Sequence, residues 1–297
     1  MEEGGSGVSV KATRSSGALE WVLLGGLYAF TLAAIVGYGL FALHPERLPD
    51  SDFARRIFTL SFGLFARLHI VIAATVLIAV LLRRLRLRWF AAFAAVSTLA
   101  FLAEHVGTGY GIPFGGYGYS GLLGAKLGGR VPALIPVSWF LMALPAWILA
   151  RTALPSPAAR LGRISLGALW LVAWDLALDP AMSFLTPYWS WVETGPYYGM
   201  PWLNLVGWFG TGLLLVGTIE AFAERAGWDA LSPRWIAAYY AAILLMPLGM
   251  LAAAGAWAAV AATVAAVGGL GLASLALGAR LQVARPARGL PIGTVRA

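Results

Sequence analysis

Residues 104–139 read EHVGTGYGIPFGGYGYSGLLGAKLGGRVPALIPVSW, a segment rich in glycine and aromatic residues that separates two apolar stretches. A second segment of this kind, residues 175–210, reads DLALDPAMSFLTPYWSWVETGPYYGMPWLNLVGWFG. Together the two segments contain much of the tryptophan and tyrosine of the chain, and several acidic side chains close to apolar residues. We therefore expect the chemistry of the protein to take place between them, with the rest of the chain forming apolar helices.

The composition excludes an ordinary soluble domain, because 60% of the 297 residues are hydrophobic and only 11% are charged. Several apolar stretches reach the ~20 residues that a helix needs to cross a bilayer. The chain lacks cysteine, which excludes disulfides, iron–sulfur clusters and thiolate metal sites. The net charge of +8 comes from basic residues in short loops between apolar stretches, a pattern typical of membrane orientation and not of nucleic-acid binding.

The hydropathy pattern predicts an all-α fold, a polytopic bundle of about eight transmembrane helices in the cell membrane. Residues 1–18 are polar and are expected to be a disordered tail, residues 19–279 form the transmembrane domain, and residues 280–297 form a basic C-terminal tail. The predicted spans are Leu19–Leu43, Phe58–Leu82, Trp89–Glu104, Val131–Ala150, Leu161–Asp179, Trp202–Ala223, Trp235–Ala253 and Trp257–Leu277.

The distribution of Lys and Arg predicts the orientation of this bundle. Fifteen basic residues fall in the two tails and in the loops after the second, fourth and sixth spans, whereas five fall on the opposite side. Because basic residues concentrate on the cytoplasmic side, both termini are expected there. Both aromatic segments then open on the extracytoplasmic side, at the same end of the bundle.

This arrangement is expected to bring polar groups of four helices to one depth. Asp175 and Asp179 are four residues apart, so they share a helix face about 6 Å apart along the axis. Glu104 ends the third predicted helix at the same level. The remaining members of this group are Arg67, His69, His105 and Asn204.

Each carboxylate also has a structural interpretation. Asp175 could pair with Arg67, but the carboxylates outnumber the nearby cation, which favours a functional role. Asp179 precedes a proline and could be a solvated helix end, and both interpretations stay open. Glu104 could be an interfacial carboxylate, although the aromatic segment after it favours function. Glu193 lies in a turn and is as consistent with a solvated loop acid as with a site residue.

The sequence does not predict a metal or a nucleotide cofactor. His69 and His105 lack the spacing of a recognised ligand motif, and a single histidine is more often a hydrogen-bonded structural residue. The glycines at 107, 109 and 111 do not have the G-x-G-x-x-G spacing and follow no strand. Glycine at these positions would instead let the backbone turn sharply and approach a bulky apolar ligand.

The density of aromatic rings at one end exceeds what interfacial anchoring alone explains. Aromatic faces stabilise cations through their quadrupoles. A carboxylic acid beside aromatic walls is what the protonation of an isolated alkene requires, since the transient carbocation must be shielded from all but one water. The predicted wall residues are Phe114, Tyr117, Tyr119, Trp174, Trp189, Trp191, Tyr197, Tyr198 and Trp208.

Four blocks of the sequence resemble the membrane carotenoid 1,2-hydratases, the CruF-type proteins. The blocks are E-x-x-G-x-x-x-G-x-P-F-G-x-Y-x-Y at 104–119, V-P-x-L-I-P-x-S-W at 131–139, D-L-x-L-D-P at 175–180, and W-x-W-x-x-x-G-x-Y-Y-G-x-P-x-x-N-x-x-G-W at 189–208. The resemblance covers roughly residues 58–225, and the N-terminal tail and last two helices carry little of it. It implies cofactor-independent addition of water across the C1–C2 double bond of an acyclic end group, in lycopene, γ-carotene or bisanhydrobacterioruberin.

The resemblance does not assign catalytic residues, so their roles follow from the residues themselves. We expect a neutral carboxyl group, Asp175 first and Glu104 second, to protonate C2. Water held by Asp179 or Glu104 would then add to the cation at C1, and Arg67 would keep another carboxylate ionised. The expected partners are a carotenoid, water, the lipid bilayer and other carotenoid-pathway enzymes.

Two other functions stay open at this point. Asp175-x-x-x-Asp179 suggests an intramembrane prenyltransferase, although such enzymes usually have two Asp-rich clusters and only one is present. A pigment-binding or transport protein without chemistry is the other alternative, although no internal repeat of the kind found in transporters is visible.

Overall fold

The described part of the chain contains eight helices that are long and apolar enough to cross a bilayer, which confirms the predicted all-α multi-pass bundle. The computed structural model describes residues 7–283, with side chains for residues 17–61 and 63–279. The membrane-length helices are α1 (Gly7–Gly37), α2 (Asp52–Leu85), α3 (Phe90–Tyr110), α4 (Leu134–Ala153), α5 (Arg160–Asp179), α6 (Trp202–Ala221), α8 (Pro233–Ala253) and α9 (Trp257–Val283), with a short α7 (Ala223–Ala226) between α6 and α8.

α2 and α3 are both longer than the hydropathy predicts. α2 begins at Asp52, because the Ser51 side chain accepts a hydrogen bond from the Ala54 backbone N–H at 3.2 Å and caps the helix. α3 continues six residues past Glu104, to Tyr110, and ends where Gly111 adopts the left-handed conformation at φ 73°. The prediction that Glu104 ends this helix is therefore wrong, and Glu104 lies inside it.

The two predicted tails are only partly described. α1 starts at Gly7, so residues 7–18 are helical in a segment that the sequence predicts as a disordered tail. Once the apolar part of α1 has formed a helix, each further residue that joins it costs only the ordering of that residue, which is less than the cost of starting a new helix. α9 reaches Val283, and the remainder of the predicted C-terminal tail lies outside the described residues.

Small strands close one end of the bundle. β1 (Tyr117–Tyr119) pairs antiparallel with β4 (Trp189–Trp191), placing Tyr117 opposite Trp191 and Tyr119 opposite Trp189. β2 (Lys126–Leu127) and β3 (Val131–Pro132) form a second antiparallel pair. The β1–β4 ribbon joins the two aromatic segments directly, so they meet as the sequence predicts.

α4 lies at the centre of the bundle with most of its residues buried, whereas α9 lies at its edge and is largely exposed. At the end opposite the ribbon, a buried ion pair joins α5 to α6. The Arg163 Nη2 and Glu220 Oε1 atoms are 2.5 Å apart, and Trp147 Nε1 of α4 donates to Glu220 Oε2 at 2.6 Å. This arrangement holds α4, α5 and α6 together.

Candidate active site

Glu104 is a buried carboxyl group on which three donors converge. The hydroxyls of Tyr117 and Tyr119, both on β1, donate to its Oε2 atom, the latter at 2.8 Å. The indole Nε1 of Trp139 donates to its Oε1 atom at 2.8 Å. An ionised carboxylate accepts and does not donate, so this set of three donors matches a carboxylate.

A second acidic cluster lies at the end of α5. Asp175 and Asp179 are both fully or almost fully buried, one helical turn apart on the same face of α5. Asn204 of α6 donates its amide to both, at 3.0 Å to Asp175 Oδ2, and Trp189 of β4 donates to Asp179 Oδ1 at 2.8 Å. Two buried carboxyl groups that share one amide repel each other when both are ionised, which favours a state with one proton between them.

The two acidic clusters face one narrow cavity. Glu104, Asp179 and Asn204 line it together with aromatic rings, whereas Asp175 lies behind Asp179. Its free volume is about 40 Å³, room for a single water. The aromatic lining residues are Phe114, Tyr117, Tyr119, Trp139, Trp174, Trp189, Trp191 and Trp208.

The ribbon fixes the distance between the clusters. The Tyr119 ring, which belongs to the Glu104 cluster, contacts the Trp189 ring of the Asp179 cluster with centroids 5.8 Å apart. The Tyr117 and Trp191 rings are 5.4 Å apart on the neighbouring pair of the ribbon. Because Tyr117 and Tyr119 donate to Glu104 and Trp189 donates to Asp179, strand pairing positions both acids against one space.

Three tryptophans form the opposite wall. The rings of Trp139 and Trp208 are 4.1 Å apart and inclined by 30°, and Trp174 meets Trp208 edge-on at 5.7 Å. The Nε1 atom of Trp174 is buried and has no hydrogen-bond partner among the described residues. A wall of ring faces beside two acids is a setting in which a transient carbocation is stabilised.

The donors on β1 stay protonated over a wide pH range. Burial, with a further contribution from nearby Glu104, raises the pKa of both Tyr117 and Tyr119 well above the ordinary tyrosine value. Their hydroxyls therefore remain donors to Glu104 at neutral and mildly alkaline pH.

Arg67 does not have the predicted role as the cation that pairs with a carboxylate. Its Nε donates to the Leu122 carbonyl at 2.5 Å and its Nη2 to the Gly121 carbonyl at 2.9 Å. The turn of glycines at 121 and 124 brings these carbonyls to the guanidinium, which thus supports the loop before β2. The pattern of charges in the sequence could not predict that Arg67 would bind the backbone carbonyls of this loop.

The two histidines also lie apart from the acids. His69 Nε2 is 3.1 Å from the Thr31 hydroxyl, and its ring stacks on Phe30. His105 packs against Phe101, and its Nδ1 is buried without a hydrogen-bond partner in the described part of the chain. Within residues 17–279, no three His, Asp or Glu side chains come close enough together to hold a metal ion.

Three further predicted residues lie outside the cavity. Glu193 is exposed. Tyr197 donates its hydroxyl to the Leu176 carbonyl at 2.8 Å and packs on Tyr198, which in turn packs on Phe184. These tyrosines hold the second loop onto the end of α5 and do not face the acids.

Trp139 lines the cavity, but the sequence analysis did not predict it as a site residue. It ends the block at 131–139 that carries part of the family resemblance, and this position was the available signal. Ser138 precedes it and also lines the cavity. Both follow from the start of α4 at Leu134, which turns this face toward Glu104.

Comparison with known proteins gives a matching family and a relative. The family described as "Carotenoid biosynthesis protein" matches residues 65–270. Bisanhydrobacterioruberin hydratase of Haloarcula japonica is 34% identical over 137 residues, which cover 46% of this chain and 46% of the relative. The match therefore spans less than half of the relative's length. No solved structure matches the chain significantly.

Proposed function

Because the chain belongs to the carotenoid biosynthesis protein family, we propose that it hydrates a carotenoid by adding water across a carbon–carbon double bond. The observation that carries this proposal is the water-sized cavity between two buried acidic clusters with tryptophan walls. The substrate we propose is the C1–C2 double bond of an acyclic end group, as in lycopene or γ-carotene. The relative from Haloarcula japonica is a bisanhydrobacterioruberin hydratase, which supports the reaction class.

Asp179 is the proton donor in this mechanism. It lines the cavity, and the shared Asn204 amide favours one proton on the Asp175–Asp179 pair, which is the proton that the pair delivers. Transfer of this proton to C2 breaks the π bond and leaves a tertiary cation at C1. The sequence analysis favoured Asp175 as the acid. Because Asp175 lies behind Asp179, we assign it instead as a positioning residue that supplies the pair with its proton.

The tryptophan wall stabilises the cation. The faces of Trp139, Trp174 and Trp208 offer a negative quadrupole without a nucleophilic atom. Their bulk also limits the space to about one water, so the cation meets a single nucleophile. This explains why the site needs both acids and rings.

Glu104 is the base. Water adds its oxygen to C1, forming the tertiary alcohol, and gives its proton to the carboxylate held by Tyr117, Tyr119 and Trp139. Return of this proton to the Asp175–Asp179 pair restores the starting state. The net reaction consumes one water, and no electron is exchanged with a redox partner.

The test is expression of the chain in a bacterium that accumulates lycopene, with mass analysis of the extracted pigment. We expect pigment heavier by one water for each hydrated end, and the same product from purified protein in detergent without NAD(P), flavin or added metal. The variant Asp179→Asn should abolish this product. Glu224→Gln, which changes an exposed carboxylate at the other end of the bundle, should not.

Two outcomes would contradict the proposal. Pigment that is retained by the protein but unchanged in mass would indicate a binding protein. Pigment or polyisoprenoid extended by isoprene units in the presence of diphosphate substrates would indicate a prenyltransferase.

A further inference from the structure

The cavity beside the acids is far too small for a carotenoid, and the space of ligand size lies elsewhere. We use the name outer chamber for a cavity of about 550 Å³ that is lined by the end of α1, by residues 38–51 and by the first four turns of α2. Thr186, Tyr188, Met246 and Met250 complete its lining. This volume falls in the range of small-molecule sites, roughly 300–1,000 Å³. Its wall consists mainly of apolar side chains such as Phe41, Phe53 and Phe65.

A smaller cavity of about 80 Å³ lies between the outer chamber and the candidate site. It shares Met246 of α8 with the outer chamber. It shares Ile135, Trp174 and Leu178 with the cavity beside the acids. The three cavities thus form a series in which each borders the next through common side chains.

The chemistry of the walls identifies the kind of occupant. No Asp, Glu, Lys or Arg side chain lines the outer chamber or the middle cavity in the described part of the chain. His69, which lines the middle cavity, has its Nε2 engaged with the Thr31 hydroxyl. An occupant of these spaces is therefore a hydrocarbon without charged groups.

The length of the route indicates a long, slender hydrocarbon. The α2 side chains that line the outer chamber and then the middle cavity run from Phe53 to Ala73. Twenty residues of helix span about 30 Å, close to the thickness of the hydrocarbon core of a bilayer. Met246 stands where the two cavities meet, and an unbranched thioether side chain adapts readily to a passing chain.

We propose that the outer chamber binds the polyene body of the carotenoid, while its acyclic end group passes Met246 and reaches the acids. This inference rests on the proposed function, since it names how the same substrate is held. It also assigns recognition of substrate length to α1 and α2, away from the acids.

Gly37 provides a variant that fills the chamber without disturbing the fold. It lies in the chamber wall with ordinary right-handed helical angles, and no heavy atom lies within 4 Å of an added Cβ. Gly37→Trp therefore projects a large ring into the space. Gly25 is the matched control on the same helix, because it is exposed and equally free of neighbours.

The experiment measures binding in the Asp179→Asn background, so that turnover does not enter. Purified protein is titrated with lycopene, and separately with a short acyclic terpene that carries the same end group. We expect Gly37→Trp to raise the Kd for lycopene about 10-fold or more, a loss of about 1.4 kcal/mol per tenfold. The Kd for the short terpene should not change, and Gly25→Trp should change neither.

Three results would overturn the inference. Lycopene could bind to the Gly37→Trp variant as tightly as to the Asp179→Asn protein without it. Both ligands could be weakened equally, which would mean that the chamber does not act through the polyene. Co-purified phospholipid could fall in Gly37→Trp while lycopene binding stays constant, which would identify the chamber as a lipid site. If instead the protein binds lycopene without ever hydrating it, only the proposed reaction fails, and the Gly37→Trp effect still stands.

Discussion

A single amide, that of Asn204, serves both carboxyl groups of the α5 cluster. Its nitrogen has two hydrogens, and both Asp175 and Asp179 lie within reach of it. The other oxygen of Asp175 has no hydrogen-bond partner among the described residues. At the scale of residues, the cluster thus has fewer donors than a pair of carboxylates would need, which favours a state with one shared proton.

We expect Asp179→Asn to lower kcat by at least ~10²-fold, the usual scale of general acid catalysis. The amide oxygen can still accept from Trp189 Nε1, so the melting temperature should stay close to that of the wild type. Turnover by purified protein and thermal unfolding in detergent check both parts. If Asp175→Asn loses turnover to this extent while Asp179→Asn keeps it, Asp175 protonates the substrate directly.

The tyrosines of β1 predict how stability depends on pH. The pKa of Tyr117 and of Tyr119 is raised in the folded protein by burial. Their neutral form stabilises the fold fully below the unfolded pKa of about 10, and this stability is lost as the pH rises from there toward the folded pKa. The melting temperature of the wild type should therefore fall above about pH 10.

Replacing both tyrosines by phenylalanine should make this fall shallower, because the titrating groups are gone. Tyr110→Phe is the control, since its ring is already 78% exposed and its removal should leave the pH dependence unchanged. An equally steep fall in the double variant would assign the loss of stability to other groups.

At the scale of elements, the packing of α6 against the loop after α3 decides whether the two aromatic segments close. A Cβ on Gly207 would lie 2.6 Å from the Pro113 carbonyl oxygen and 2.7 Å from the Phe114 ring. The backbone carbonyl cannot move away without displacing the loop that leads into β1. Glycine at this position is therefore required by the close approach of α6.

We expect Gly207→Ala to destabilise the protein by on the order of 1–3 kcal/mol, the usual cost of overpacking. The change should also lower turnover, since Phe114 lines the cavity. Gly210→Ala lies on the same helix with no heavy atom near its Cβ and should cost nothing. Melting temperatures of the two variants test this, and equal values would contradict the role of the close approach.

The elements also show what the sequence could predict. Apolar stretches of membrane length located all eight spanning helices, because burial of backbone polar groups in lipid leaves few other structures. Strands of three residues, as in β1 and β4, carry too little periodicity to be detected. The convergence of Glu104, Asp179 and Asn204 could be inferred from the directions of their helices. The partner of Arg67 could not be inferred, because it is a loop whose path only the fold determines.

At the scale of the whole molecule, the orientation in the membrane stays a prediction. The excess of fifteen basic residues over five predicts that both termini lie in the cytoplasm and that the ribbon end lies outside. Reporter fusions at Gly289 and within residues 115–121 should report opposite sides of the membrane. The same side for both would contradict the eight-span topology with the site at the extracytoplasmic end.

The order of the buried acids and their hydrogen-bond donors along the chain has a consequence for biosynthesis. Glu104 leaves the ribosome 13 residues before Tyr117 and 35 residues before Trp139, and Asp175 precedes Asn204 by 29. Each acid is thus synthesised before its donors, and the nascent chain carries carboxyl groups whose partners do not yet exist. Only when α6 has emerged are Asp175 and Asp179 supplied with their amide. A chain that ends before Asn204 therefore has two acids on α5 that lack this donor, and it cannot form the finished cluster.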